Sequence, residues 1–142
     1  MLFRSVGSWR VSVLCPYDLA VVLTYRDDLA RVRACTTAHA DRAGPPDRRV
    51  RDLVLAVEEL AANTLKHTGG PGTLAIWTTP DDLICQVHDR GLIKEPLAGR
   101  FRPNPADLGG RGLWVVNQLC DLVEIRTSRY GTDIRLHMRL PA

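Results

Sequence analysis

Residues 48–67 read RRVRDLVLAVEELAANTLKH, and this stretch decides the fold because it is the clearest amphipathic helix of the chain. Apolar residues recur in it at three- and four-residue spacing, which marks one buried helix face. They are Val50, Leu53, Val54, Val57, Leu60 and Ala61. Asp47 is the predicted N-cap, and residues 68–72, which read TGGPG, end the helix. The sequence therefore predicts one long helix packed on a core.

Strand and helix patterns on both sides of this helix complete the predicted architecture. Short apolar runs predict strands at residues 10–14 and 20–25, and Asp27 and Asp28 open a helix that runs to about Ala40. Alternating patterns predict two hairpins, at residues 73–88 and 122–140, separated by a long loop at 90–108 and a helix at 113–121. This order predicts an α+β two-layer sandwich: a mixed, mostly antiparallel sheet with helices on one face.

Composition bounds the class of protein. The 142 residues are 45% apolar and 25% charged, which is typical of one globular domain. The net charge of +3 is spread evenly, without the basic stripe that accompanies nucleic-acid binding. No apolar run is long enough to span a bilayer, so we expect a cytoplasmic protein with no membrane partner. The four cysteines, at 15, 35, 85 and 120, form no C-x-x-C motif and are interpreted as buried or half-buried hydrophobes.

A polar pair lies on the side of the long helix opposite Val57 and Ala61. Glu59 and Asn63 are four residues apart and share a helix face, with His67 one turn further. Their oxygens suit a Mg²⁺ ion bound to phosphate, although an ordinary solvated face explains the same residues. Small and apolar residues on that side indicate that a ligand or a loop covers it.

Two further segments indicate a nucleotide site. His88-Asp89-Arg90-Gly91 follows a predicted strand, where Asp89 can accept a hydrogen bond from an amino group such as that of adenine. A turn at a strand end explains the same residues. Gly109-Gly110-Arg111-Gly112 leads into a helix and can wrap an anion, with Arg111 as a charged donor, although a flexible linker is the alternative.

Together and in this order, the segments resemble the ATPase family of gyrase B, Hsp90, histidine kinases and MutL, and more closely the bacterial anti-sigma serine kinases. Residues 59–63 resemble the N box of that family, residues 88–91 its adenine box, residues 110–113 its glycine box, and Gly131-Thr132 its final Gly-Thr. The resemblance covers about residues 20–140. It implies the Bergerat-type ATP-binding fold, with ATP and Mg²⁺ as cofactors.

The resemblance also implies residue roles. Glu59 is the expected general base, and Asn63 the expected Mg²⁺ ligand. Asp89 would read the adenine amino group, with Gly91 shaping the turn and Thr132 helping to bind the base. For the phosphates, the expected residues are Gly110, Arg111 and Gly112. The implied partners are a sigma factor, an anti-sigma antagonist protein that is phosphorylated on serine, and a second copy of the chain in a homodimer.

Two departures from the family pattern stand beside these expectations. Ile93 replaces the second glycine of the adenine box, which predicts a bulkier wall beside the nucleotide. A histidine kinase requires a phospho-accepting histidine helix before this domain, and we expect none here. Residues 1–19 are interpreted as the remnant of an upstream sensory domain, because residues 13–18 resemble a junction in longer relatives, and residues 20–142 as the ATP-binding domain.

Three functions remain open from the sequence. The first is an anti-sigma regulatory factor with serine kinase activity, which acts in transcription regulation. The second is a nucleotide-gated protein-binding module without kinase activity. The third, a nucleotide-free interaction domain, is disfavoured because an inert helix needs neither Glu59 nor Asn63.

Overall fold

The computed structural model describes residues 2–5, 21–68, 71–90 and 111–141. Within these ranges, six strands and three helices are present. The strands are β1 (Leu2–Ser5), β2 (Val21–Tyr25), β3 (Gly72–Thr78), β4 (Asp82–Asp89), β5 (Leu122–Ser128) and β6 (Gly131–Arg139). The helices are α1 (Leu29–Ala43), α2 (Asp47–Thr68) and α3 (Arg111–Leu119).

The strands form one sheet in the order β1-β5-β6-β4-β3-β2. Strand β1 is parallel to β5, and every other neighbouring pair is antiparallel. Alternate strand residues, such as Leu74, Val87 and Leu136, share one buried cluster with Val32 of α1, Leu53 of α2 and Val116 of α3. The three helices therefore cover one face of the sheet, and the predicted α+β two-layer fold is confirmed.

Most of the predicted elements are present, and their ends have identifiable causes. Asp28 caps α1, where its side chain accepts a hydrogen bond from the Arg31 amide at 3.0 Å. Gly44 ends that helix with φ at 87°, a left-handed conformation that suits glycine. Both hairpins form as β3–β4 and β5–β6.

The starts of two helices differ from the prediction, and one strand is additional. Asp47 is the first residue of α2 rather than its N-cap, because the Pro46 carbonyl already accepts hydrogen bonds from the Arg49 and Val50 amides. Helix α3 begins at Arg111, two residues early, so the glycine-rich segment runs into its first turn. Strand β1 was not predicted, because four residues give too short a pattern. The predicted strand at 10–14 lies outside the described residues, as does nearly all of the loop at 90–108.

The sheet face away from the helices carries a buried polar network. Arg135, only 1% exposed, donates to Gln86 Oε1 from Nε at 3.0 Å and from Nη2 at 2.6 Å. Its guanidinium also lies 5.2 Å from the centre of the Trp77 ring. His137 Nε2 lies 2.6 Å from Glu124 Oε1 on the neighbouring strand. Because each of these buried polar groups has a partner, the network is compatible with the fold.

Two expectations from composition can be compared with the described residues. Cys85 and Cys120 are buried and Cys35 is half-buried, all with free thiols, as predicted; Cys15 lies outside these residues. Among the helices that the structure describes, none is long and apolar enough to cross a membrane.

Candidate functional site

Glu59 and Asn63 lie on α2, where the first turn of α3 packs against them. Both side chains are half-buried. Gly112, the second residue of α3, is so close that a Cβ atom there would lie 2.8 Å from Asn63 Nδ2 and 3.3 Å from Glu59 Oε2. The first turn of α3, rather than a loop, therefore covers part of these two residues, and the absence of a side chain at position 112 permits it.

Asp89 and Thr132 are brought together by the register of the two central strands. They are direct partners in the antiparallel β4–β6 pair, and Thr132 is 2% exposed. Gly131 precedes Thr132 with φ at 123°, and a Cβ there would collide with the Asp89 carbonyl oxygen. Glycine is thus required at position 131 for the β6 backbone to pass this close to Asp89.

A chain of hydroxyl groups joins Asp89 to α2. Thr64 Oγ1 lies 3.0 Å from Asp89 Oδ2, and Tyr25 Oη donates to Thr64 Oγ1 at 3.1 Å. Both residues are almost fully buried. Burial raises the pKa of Tyr25 to about 12, with a further rise from the Asp89 charge, while the hydrogen bond with Thr64 acts in the opposite direction.

One stretch of α2 therefore carries contacts to both halves of the site. Glu59 and Asn63 face the start of α3, and Thr64, which follows Asn63 directly, contacts Asp89 at the end of β4. Residues four apart share a helix face, whereas successive residues are rotated by about 100°. Asn63 and Thr64 consequently point to different neighbours while they remain adjacent in the chain.

The oxygens of Glu59 and Asn63 fit a metal that needs few protein ligands. Glu59 Oε2 and Asn63 Oδ1 both lie close to the start of α3, at 3.3 and 3.4 Å from the position that a Cβ on Gly112 would take. Among the described residues, no group of three His, Cys, Asp or Glu side chains could hold a metal ion. Mg²⁺ is compatible with such a site because it keeps several waters and takes its other ligands from substrate phosphates.

The predicted site residues can now be placed. The structure brings Glu59 and Asn63 together with Gly112, and Asp89 together with Thr132. Arg111 begins α3. Gly91 and Gly110 lie outside the described residues.

Two residues near Asp89, Thr64 and Tyr25, were not predicted from the sequence. Thr64 lies seven residues after Val57 and three after Ala61, so the apolar spacing of α2 already places a buried hydroxyl at this position. Tyr25 had no comparable signal, because its partner Thr64 is 39 residues away in the sequence.

Comparison with solved structures agrees with the fold. A solved structure of the RsbU and RsbW domains of Rv1364c from Mycobacterium tuberculosis is similar over 86% of this chain, with a TM-score of 0.62 and 20% sequence identity. The match covers 34% of that chain, so the present chain spans about a third of its length. A search of curated proteins found no match.

The family assignment rests on the sequence itself. Residues 23–138 match the family described as the histidine kinase-like ATPase domain. Among the described elements, this range contains the three helices, all of β3, β4 and β5, and most of β2 and β6, together with both halves of the site. Such an ATPase domain implies ATP binding. The chain belongs to the histidine kinase-like ATPase domain family.

Proposed function

We propose that the chain is an ATP-binding anti-sigma regulatory factor, which phosphorylates a serine on an antagonist protein and otherwise sequesters a sigma factor. The observation that carries the proposal is the convergence on α2. The start of α3 packs on Glu59 and Asn63, and the next residue, Thr64, contacts Asp89. The fold shared with a structure that contains an RsbW domain supports an assignment to this branch of the family.

The base of the nucleotide lies at the end of β4 in this proposal. Asp89 accepts a hydrogen bond from the amino group of adenine, and Thr132 on the neighbouring strand helps to bind the ring. Support comes from their direct pairing between β4 and β6. Gly91, two residues after Asp89, shapes the turn that lets the backbone approach the base.

The phosphates lie at the start of α3. Helix N-termini present unpaired amides and a positive dipole end, which favour anions. Gly110 and Gly112 leave room for the phosphates, and Arg111 supplies a charged donor. Asn63 holds Mg²⁺ through its side-chain oxygen, and the ion, when bound, neutralises charge on the transferred phosphoryl group.

Glu59 is the proposed general base. Its carboxylate accepts the proton of the incoming serine hydroxyl while the serine oxygen forms a bond to the γ-phosphorus and the bond to the ADP oxygen breaks. Phosphoryl transfer depends mainly on positioning and charge stabilisation. Half-burial beneath α3 supports this role, because it restricts the carboxylate to one side of the site. General-base assistance is typically worth about 10²–10⁴-fold in rate.

The regulatory cycle follows from these roles. In the unmodified state the antagonist competes with the sigma factor for the chain, and phosphorylation of its serine removes that competition. The chain then holds the sigma factor, so transcription from the corresponding promoters is low.

The test supplies the purified chain with Mg-ATP and each candidate antagonist from the same genome, and it measures phosphoserine by mass spectrometry. We expect one antagonist to be modified by the unmutated chain. The Glu59→Ala variant should bind ATP and the sigma factor nearly normally but fail to transfer phosphate. If no antagonist is modified although ATP binds, the kinase proposal is wrong, and a nucleotide-gated binding module is the better interpretation.

A further inference from the structure

The hydroxyl chain from Tyr25 to Asp89 crosses three elements of the fold. Tyr25 lies at the end of β2, Thr64 near the end of α2, and Asp89 at the end of β4. The two oxygen–oxygen distances are 3.1 Å for Tyr25–Thr64 and 3.0 Å for Thr64–Asp89. Thr64 is 1% exposed and Tyr25 is 2% exposed, so both hydroxyl groups are removed from bulk water. Hydrogen bonds in such surroundings fix orientation strongly, because the partners have few alternatives.

The donor and acceptor in each of these two hydrogen bonds follow from the chemistry of the groups. Burial raises the pKa of Tyr25 to about 12, so the phenol keeps its proton at neutral pH and donates to Thr64. The single proton of the Thr64 hydroxyl then has two acceptors in reach, the Leu60 carbonyl oxygen at 3.2 Å and Asp89 Oδ2 at 3.0 Å. A charged acceptor forms the stronger bond, so the proton is directed to Asp89.

The backbone of β3 holds Tyr25, the outermost of these hydroxyl groups, in place. Tyr25 pairs with Gly72 in the β2–β3 register. A Cβ on Gly72 would collide with the phenol oxygen and ring carbon of Tyr25. The ring therefore fills the space that a side chain at position 72 would take, and the close backbone limits its movement.

A carboxylate that accepts a hydrogen bond on one side can still accept a second hydrogen bond from another direction. Its two oxygens offer about four lone-pair positions, so Asp89 can accept from Thr64 and from a ligand amino group together. We propose that Tyr25 and Thr64 are positioning residues, which hold Asp89 in the orientation that recognises the 6-amino group of a purine and thereby set the base preference of the site. This inference rests on the proposed role of Asp89.

The experiment compares two nucleotides that differ only in that amino group. Calorimetry with Mg²⁺ would measure the affinity of the full chain for ATP and for purine riboside triphosphate, which lacks the 6-amino group. The unmutated chain should prefer ATP by about tenfold or more, as one hydrogen bond to a charged group predicts. Thr64→Val removes the hydroxyl and keeps the shape of the side chain. It should weaken the affinity for ATP about tenfold and leave the affinity for purine riboside triphosphate nearly unchanged.

Three further variants separate positioning from general damage. Thr64→Ser keeps a hydroxyl and should restore most of the preference for ATP. Tyr25→Phe should reduce the preference by about threefold, because it removes only the outer bond. Thr36→Val is the matched control: Thr36 is a fully buried helix threonine whose hydroxyl bonds only to Val32 O at 2.8 Å among the described residues. It should leave both affinities unchanged.

The outcomes separate this inference from the proposed function. If the unmutated chain binds neither nucleotide, the proposed function is wrong. If it binds both nucleotides equally, Asp89 does not read the amino group, and this inference is wrong while ATP binding stands. If it prefers ATP and Thr64→Val keeps that preference, the positioning role is wrong while the role of Asp89 stands. An equal loss of affinity for both nucleotides in Thr64→Val indicates a structural role only and also overturns the inference. Should Thr64→Val fail to fold in thermal unfolding, an unchanged preference in Tyr25→Phe overturns it.

Discussion

Replacement of Gly112 by alanine is expected to disturb the Glu59 and Asn63 end of the site without unfolding the protein. The new Cβ would lie 2.8 Å from Asn63 Nδ2, 3.4 Å from Asn63 Oδ1 and 3.3 Å from Glu59 Oε2. Ordinary van der Waals contact begins at about 3.4 Å, so the Asn63 amide must move by about 0.6 Å. The Asn63 amide can move, because it is the end of a side chain and not part of the backbone.

The expected effect on stability is small, since two contributions oppose each other. Alanine is favoured over glycine in a helix by about 1 kcal/mol. Moving Asn63 off its preferred rotamer costs about 0.5–1.5 kcal/mol. The free energy of unfolding should therefore change by less than about 1 kcal/mol, as measured by chemical denaturation.

The expected effect on ligand binding is larger. Groups that orient a metal ligand typically change affinity by about 10–100-fold when they are altered. The Kd for Mg-ATP should rise at least about tenfold in calorimetry, whereas the Kd for ATP in EDTA should change much less. This comparison isolates the Mg²⁺-dependent part of binding, to which Asn63 is proposed to contribute.

Gly44→Ala is the matched control. Gly44 has φ at 87°, a backbone conformation that is strained for alanine, but no atom lies within 4 Å of the position of a new Cβ. Alanine there therefore introduces backbone strain without a steric clash. It should lower stability by about 1 kcal/mol and leave the Kd for Mg-ATP unchanged. An unaltered Kd in folded Gly112→Ala would refute the argument that α3 constrains Asn63.

The remaining predictions concern the base, the β6 turn and pH. Asp89→Asn should weaken ATP binding by about 1–3 kcal/mol in calorimetry, whereas Glu59→Ala should affect phosphoryl transfer and not affinity; equal losses of affinity would contradict the assigned roles. Gly131→Ala should lower the free energy of unfolding by about 3 kcal/mol, because a Cβ there meets the Asp89 backbone. If Gly131→Ala loses less stability than Gly44→Ala, this clash is not the cause. Burial raises the pKa of Tyr25 to about 12 from its ordinary value of 10.0, so the protonated phenol stabilises the fold fully below pH 10 and this contribution is lost between pH 10 and 12. The free energy of unfolding, measured by chemical denaturation, should therefore decrease less over that window in Tyr25→Phe than in the unmutated chain. An identical decrease in both would exclude Tyr25 as its cause.

The sequence by itself determined the elements and most of the residue types in the site. Helix α2 was predictable because its apolar spacing is a local property, set by neighbours three and four residues apart. The same spacing put Glu59 and Asn63 on one face, and Asp89 at the end of a strand followed from its alternating pattern. Short or weakly patterned segments were not predicted, as β1 shows, because a few residues carry too little periodicity.

The tertiary structure decided which of these residues meet. Asp89 pairs with Thr132 only through the β4–β6 register, which joins strands that are not consecutive in the sequence. Likewise Gly112 reaches Asn63, and Tyr25 reaches Thr64, through packing between distant elements. Periodicity in a sequence shows which side of an element is buried, but not which partner covers it. That choice depends on the fit of whole surfaces, and here it joins the base and phosphate ends of the proposed site on one helix.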